Sequence, residues 1–158
     1  YKAAKYTIER PLHIGGLLAG ADPALLAAYS GYGLPLGEAF QLRDDILGVF
    51  GDPAETGKPA GDDLREGKQT VLVALAYQRA DAAARAALDA GLGDRALEPT
   101  RVDRLRTILA ATGAVAEVER MIEERTAQAQ EALRAAGFEP AARAALEQLA
   151  VAATTRRV

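Results

Sequence analysis

Apolar residues recur at helical spacing along almost the whole chain, and this periodicity limits the possible folds more than any other feature. Aromatic residues make up only 5% of the sequence, and β-branched residues are scattered rather than clustered. Both features favour helices over β-sheet. The main interruption is the stretch 51–67, where repeated glycines and prolines stop regular structure. We therefore predict an all-α protein with one long loop.

The periodicity also predicts where the helices lie. Asp22 and Pro23 stand in the order typical of an N-cap and a first helical residue, and Gly31 and Gly33 predict a break soon afterwards. No internal repeat or linker separates two cores, so we expect a helical bundle that is part of a larger one. The expected helices are 1–19 with a kink at Pro11, 24–32, 36–50, 68–88, 100–111, 114–136 and 140–155.

Composition excludes several classes of function. The chain has no cysteine and one histidine, which excludes disulfides, thiolate metal sites and multi-histidine centres, so any metal must have oxygen ligands. A net charge of −3 does not favour binding to nucleic acid. No apolar run approaches the roughly 20 residues that span a bilayer, and no signal peptide is visible. We expect a cytoplasmic protein without a membrane span.

An acidic pair, Asp44 and Asp45, interrupts the apolar pattern of the helix 36–50. Two adjacent carboxylates repel each other and resist burial, so a cation should compensate them. Arg43 could serve, and so could a metal ion. Such a pair, taken alone, more often faces solvent or binds a neighbouring arginine.

The residues around the pair favour a metal-diphosphate site. Gln41 lies one turn earlier on the same helix face, and the loop that follows brings further charged residues, Lys58, Asp63 and Lys68. Mg²⁺ prefers one or two carboxylates together with water and phosphate oxygens, while lysines neutralise the remaining phosphate charge. The loop lacks the spacing of a Walker phosphate loop, and no segment has the acidic pattern of an EF-hand.

Two segments, FQLRDDILGVFGD and TGKPAGDDLREGKQT, resemble the second aspartate-rich motif and the following loop of trans-isoprenyl diphosphate synthases. The resemblance runs in order from Phe40 to Thr70 and is closest to bacterial geranylgeranyl-type enzymes. Lys2 corresponds to a lysine that the family places upstream. The resemblance implies that residues 1–158 form the C-terminal portion of a single prenyl synthase domain, part of an isoprenoid synthase helical bundle. The first aspartate-rich motif would lie upstream of Tyr1.

The resemblance also implies an activity. Isopentenyl diphosphate would be condensed with an allylic diphosphate to give a longer trans-prenyl diphosphate of the geranylgeranyl or farnesyl type, with Mg²⁺ as cofactor. A homodimer is implied, and the chain alone is expected to be inactive. The implied site residues are Asp44, Asp45 and Asp63 for magnesium, with Asp44 binding directly; Lys2, Lys58 and Lys68 for the diphosphate; and Gln41 beside the reacting carbons. Lys2, Gln41, Lys58 and Lys68 are thus the expected catalytic residues.

Two positions depart from the family pattern. Gly48 stands where the motif usually has its third aspartate, and Ala3 stands where a threonine follows the upstream lysine. These departures leave open a non-catalytic regulatory subunit of a prenyl synthase. A class I terpene cyclase shares the fold and the metal-diphosphate chemistry, but its Asn/Ser/Glu metal motif is not visible here.

Overall fold

The computed structural model describes residues 2–57, 59 and 61–155, apart from the side chains of Glu55 and Thr56. Within these ranges the chain forms helices and no β-strand, which confirms the all-α prediction. No helix in the described part of the chain is both long enough and apolar enough to cross a membrane. The elements are α1 (Lys2–Ala4), a π-helical segment (Lys5–Glu9), α2 (Arg10–Leu18), α3 (Pro23–Phe50), α4 (Pro53–Thr56), α5 (Asp62–Glu66), α6 (Val71–Arg79), α7 (Ala82–Gly91), α8 (Pro99–Ala111), α9 (Ala114–Ala135) and α10 (Pro140–Thr154).

Helix α3 is continuous through the glycines that predicted a break, so the prediction of two helices there was wrong. A Cβ atom at Gly33 would lie 3.2 Å from the Cα of Glu9, and one at Gly37 would lie 2.5 Å from the Cα of Ala4. Glycine is a poor helix former, but here it lets the first helical segments pack closely against α3. We infer that this tertiary contact outweighs the local propensity.

The first helix is distorted before Pro11 rather than at it. The π-helical segment Lys5–Glu9 separates α1 from α2, and Pro11 lies in the first turn of α2. A proline ring crowds the carbonyl four residues earlier, which here belongs to Thr7 inside the π-helical segment. The predicted irregularity is confirmed, and its position is corrected.

Side-chain caps explain two further boundaries, and the loop after α3 is also less simple than predicted. Asp22 Oδ1 accepts a hydrogen bond from the Leu25 amide at 2.8 Å, as the sequence predicted. Asp81 Oδ1 accepts one from the Ala84 amide at 2.8 Å and starts α7, so the single helix expected over 68–88 is in fact α6 and α7. The stretch 51–67, predicted as loop, contains the short helices α4 and α5. The last three predicted helices agree with α8, α9 and α10 to within one residue at each end.

The described residues form two compact units, one of residues 2–43 and 121–155 and the other of residues 44–120. The first unit has an apolar core in which Tyr32 is fully buried and its hydroxyl donates to the Leu146 carbonyl at 2.6 Å. Complete burial of a large apolar side chain such as Leu36, another member of this core, contributes roughly 1.5–3 kcal/mol. The other buried members of this core are Ile8, Leu36, Ala129, Leu133, Phe138, Leu146, Ala150 and Ala153.

The second unit holds the aspartate pair and the loop that follows it. Within it, α6 and α7 both contact α8. Leu64 of α5 and Leu72 of α6 are fully buried, which anchors the segment between them to this unit. That segment carries Lys68.

Candidate functional site

The ammonium group of Lys68 lies between two buried carboxylates. Its Nζ donates to Asp63 Oδ2 at 2.9 Å and to Asp45 Oδ1 at 3.1 Å. Asp45 and Asp63 are each only 5% exposed, whereas the side chain of Lys68 is 40% exposed. Of the predicted site residues, the structure therefore brings together Asp45, Asp63 and Lys68. Lys68 supplies positive charge beside the two buried carboxylates, of which Asp45 belongs to the acidic pair of the sequence.

The local fold of α5 turns Lys68 back toward Asp63. Gly67 ends α5 with a φ of 69°, in the left-handed region that favours glycine. The Lys68 amide then donates to the Asp63 carbonyl at 3.0 Å, closing the turn around the short helix. At the other end, Gly61 also has a positive φ of 71°, and a Cβ there would lie 2.6 Å from Cγ1 of Val102. Gly61 and Gly67 thus allow the turns that position Asp63 and Lys68.

The environment of Lys68 favours its charged form. Partial burial, the largest influence, lowers the pKa of Lys68, but the hydrogen bonds and negative charges of Asp63 and Asp45 together outweigh it. The pKa of Lys68 is therefore raised above its ordinary value. Lys68 carries a full positive charge at neutral pH.

Gly48 directly faces the carboxylate of Asp63. It lies three residues after Asp45 and on the same side of α3. A Cβ atom at position 48 would overlap the Asp63 carboxylate, whose Oδ1 lies 2.7 Å from that point. The sequence indicated only a lost ligand at this position. The signal that could have suggested packing was a glycine inside a buried helix, where glycine is unfavourable.

The other predicted site residues are each described by the helix that carries them, except Lys58. Asp44 is half-buried on α3, about 100° around the helix from Asp45. Gln41 is half-buried on the same helix, and Lys2 is exposed at the start of α1; both belong to the first unit. Lys58 lies outside the described residues.

The donor chemistry of the second unit suits a hard cation. Among the described residues no group of three or more His, Asp or Glu side chains is arranged as a ready metal site. Carboxylate oxygens are nevertheless what Mg²⁺ prefers, and one or two suffice when a substrate phosphate completes the shell. The assignment of Asp44, Asp45 and Asp63 to magnesium therefore stays a prediction that the residues fit chemically.

Comparison with known proteins identifies the family. The family profile described as polyprenyl synthetase matches residues 1–111. The chain belongs to the polyprenyl synthetase family. This agrees with the resemblance found in the segments around Asp44 and Lys68.

Two curated relatives in the polyprenyl synthetase family illustrate the similarity. The geranylfarnesyl diphosphate synthase of Aeropyrum pernix is 49% identical over 73 residues, which cover 46% of this chain and 23% of the relative. The geranylgeranyl diphosphate synthase of Mycobacterium tuberculosis is 36% identical over 112 residues, which cover 71% of this chain and 32% of the relative. The chain thus spans about a quarter to a third of the length of these relatives.

Solved structures of polyprenyl synthetases share the fold. A geranylgeranyl pyrophosphate synthase from Corynebacterium glutamicum, complexed with isoprenyl diphosphate and magnesium, matches with a TM-score of 0.95 and 49% identity, over 99% of this chain and 44% of that one. A polyprenyl synthase from Caulobacter crescentus, complexed with calcium and isoprenyl diphosphate, matches with a TM-score of 0.80 and 35% identity, over 91% and 44%. The helical fold is therefore that of the isoprenyl synthases.

Proposed function

We propose that the chain is part of a trans-prenyltransferase that condenses isopentenyl diphosphate with an allylic diphosphate. The product is a longer trans-prenyl diphosphate of the geranylgeranyl or farnesyl type. Family membership supports this proposal, as does the similarity to the geranylfarnesyl and geranylgeranyl diphosphate synthases. The observation that carries it is the ammonium of Lys68, fixed by Asp63 and Asp45 and still partly exposed.

Lys68 is suited to bind a diphosphate oxygen. An ammonium group has three N–H donors, and two of those of Lys68 point to Asp63 and Asp45. The third has no partner among the described residues, and we assign it to the diphosphate. When the bond between the diphosphate oxygen and the allylic carbon breaks, negative charge gathers on the departing group. A cation that is already held in place stabilises this charge without reorganising.

Magnesium would be held by Asp44, with Asp45 and Asp63 contributing directly or through water. When bound, it would supply positive charge that neutralises the diphosphate. Because Asp45 and Asp63 are engaged with Lys68, we give them the further task of positioning that lysine. Asp44, which is half-buried, is the leading direct ligand of the three.

The other predicted residues complete the proposal. Lys2 and Lys58 would add positive charge to the diphosphate, and Gln41 would lie beside the reacting carbons, as the family resemblance implies. We also propose that residues 1–158 form one portion of a single prenyl synthase domain, and that the protein is a cytoplasmic homodimer. The 44% coverage of the Corynebacterium enzyme supports the first of these two statements.

The alternative of a regulatory subunit has less support than the sequence alone gave it. Gly48 was one of its two arguments, because a lost aspartate suggested decay of the site. Gly48 instead makes room for the Asp63 carboxylate, which is buried and paired with Lys68. A terpene cyclase gains no specific support from the geometry.

A product assay tests the proposed function. The full-length protein is incubated with magnesium, isopentenyl diphosphate and a series of allylic diphosphates, and the products are identified by mass spectrometry. We expect a prenyl diphosphate longer than the primer by one or more isoprene units. A cyclic hydrocarbon would favour the cyclase, and the absence of product with every primer would favour the regulatory subunit.

A further inference from the structure

We propose that Gly48 is a positioning residue for Lys68. Its lack of a side chain creates the space in which the Asp63 carboxylate holds the Lys68 ammonium against Asp45. This inference rests on the proposed function in one respect, since it takes Lys68 to be a diphosphate ligand. The contact between Gly48 and Asp63 itself is independent of that assignment.

Backbone conformation does not explain the glycine at position 48. Gly48 lies inside α3, and its φ is not positive. Glycine in a helix interior is unfavourable compared with alanine, so its presence here requires another reason. The close approach of Asp63 is that reason, because a single added methyl group at position 48 would overlap the Asp63 carboxylate.

The Asp63 carboxylate has little freedom to move away from an added side chain. It is 5% exposed, and its Oδ2 accepts the hydrogen bond from Lys68 Nζ. If it shifted, Lys68 would keep Asp45 at 3.1 Å but would lose its shorter contact, the 2.9 Å hydrogen bond to Asp63. A flexible lysine side chain held at one point instead of two is less well oriented toward a ligand.

The test compares two glycine variants of the full-length protein that lie in the same helix. Gly48→Ala places a methyl group on the Asp63 carboxylate, whereas Gly31→Ala meets Ala132 at an ordinary 3.6 Å. The probe is inorganic pyrophosphate in the presence of magnesium, and its dissociation constant is measured by calorimetry. We expect Gly48→Ala to weaken binding about tenfold and Gly31→Ala to leave it unchanged. A purely structural role would lower the unfolding midpoint of Gly48→Ala without changing binding by the folded protein, and that result would overturn the proposal.

A double-mutant cycle shows whether the effect passes through Asp63. Asp63→Ala removes the carboxylate and leaves room for a methyl group at position 48. We expect Asp63→Ala and the double variant Gly48→Ala/Asp63→Ala to bind pyrophosphate equally weakly. If Gly48→Ala alone does not fold, the double variant should fold and bind as Asp63→Ala does. If the double variant bound pyrophosphate more weakly than Asp63→Ala or failed to fold, that result would contradict the proposal that Gly48 acts through Asp63.

Crystal structures of the full-length wild type and Gly48→Ala separate this inference from the proposed function. If the wild type binds no pyrophosphate and makes no product, the proposed function fails. Gly48 still positions Lys68 if the variant displaces the Asp63 carboxylate and moves Lys68 Nζ out of hydrogen-bonding distance from it. An unchanged Lys68–Asp63 contact in the variant would overturn the inference whatever the activity.

Discussion

Lys68 Nζ lies 2.9 Å from Oδ2 of Asp63, and this pair spans the short helix α5 from its first turn to the residue after its C-terminal glycine. The contact is local in sequence, because the two residues are five positions apart. The second contact of Lys68, to Asp45, joins positions that are 23 residues apart and ties the turn to α3. The ammonium group of Lys68 is thereby held by one local and one distant carboxylate.

Replacing Lys68 by Met should lower both stability and diphosphate binding. Removing the ammonium leaves Asp45 and Asp63 buried without this cation. Removing one partner of a buried ion pair can lower the free energy of unfolding by several kcal/mol. Lys68 is 40% exposed, so solvent screening should reduce the loss to about 1–2 kcal/mol. Urea unfolding of the full-length protein measures this change.

Lys68→Arg is the matched control for the lysine, because it keeps the charge but not the compact geometry of an ammonium. We expect Lys68→Arg to recover most of the stability and less of the pyrophosphate affinity. Equal stability of Lys68→Met and the wild type would show that the two carboxylates do not depend on this lysine.

Asp44→Ala should lower turnover of the full-length protein by about 100-fold or more, because stabilisation of the leaving group by the metal would be lost. Asp103→Ala is a suitable control, since Asp103 is an acid of the same unit with a 72% exposed side chain. Steady-state rates are measured across a magnesium titration. Near-normal turnover of Asp44→Ala at low magnesium would place the metal elsewhere.

Gly37→Ala should destabilise the protein through the contact between α1 and α3. The added carbon would lie 2.5 Å from the Cα of Ala4, a backbone atom that has little freedom to move. Overpacking of this kind costs about 1–3 kcal/mol. Denaturant unfolding followed by circular dichroism measures it, with Gly31→Ala as the control that should be neutral or up to about 1 kcal/mol more stable. Equal stability of the two variants would mean that α1 does not pack on α3 as described.

The ionisation of Tyr32 should make stability fall at alkaline pH. Burial raises the pKa of Tyr32 above its ordinary range, while its hydroxyl donates to the Leu146 carbonyl. An unfolded tyrosine loses its proton near pH 10, whereas the folded protein retains it. The contribution of protonated Tyr32 to the free energy of unfolding is therefore complete below about pH 10 and is lost as the pH rises above it.

Comparison with Tyr32→Phe isolates that contribution. At neutral pH we expect the variant to be about 1 kcal/mol less stable, because the hydrogen bond to Leu146 is lost. Above pH 10 the stability of the wild type should fall more steeply than that of Tyr32→Phe, as measured by urea unfolding at a series of pH values. Parallel curves for the two proteins would contradict the assignment.

Local chemistry explains what could be predicted from the sequence. The N-cap at Asp22 and the helices α8, α9 and α10 depend on neighbouring residues and were predicted closely. The grouping of Asp63 and Lys68 was also predicted, since one short loop carries both. The assignment of these residues to a metal or a diphosphate still depends on the family.

Distant contacts explain what was missed. The break predicted at Gly31 and Gly33 does not occur, because Gly33 and Gly37 pack against the first helical segments. The same limitation hid the role of Gly48, whose partner Asp63 lies in another helix. In each case the sequence shows only a poor helix former, whereas the folded chain uses the glycine for a close contact with a distant residue.

A crystal structure of the full-length protein with magnesium and a non-hydrolysable allylic diphosphate analogue tests the proposed role of Lys68 most directly. We predict that Lys68 Nζ donates to a diphosphate oxygen while it keeps its contacts with Asp63 and Asp45, and that Asp44 is a ligand of the metal. A diphosphate bound out of reach of Lys68, with the metal away from Asp44, would contradict the proposed site.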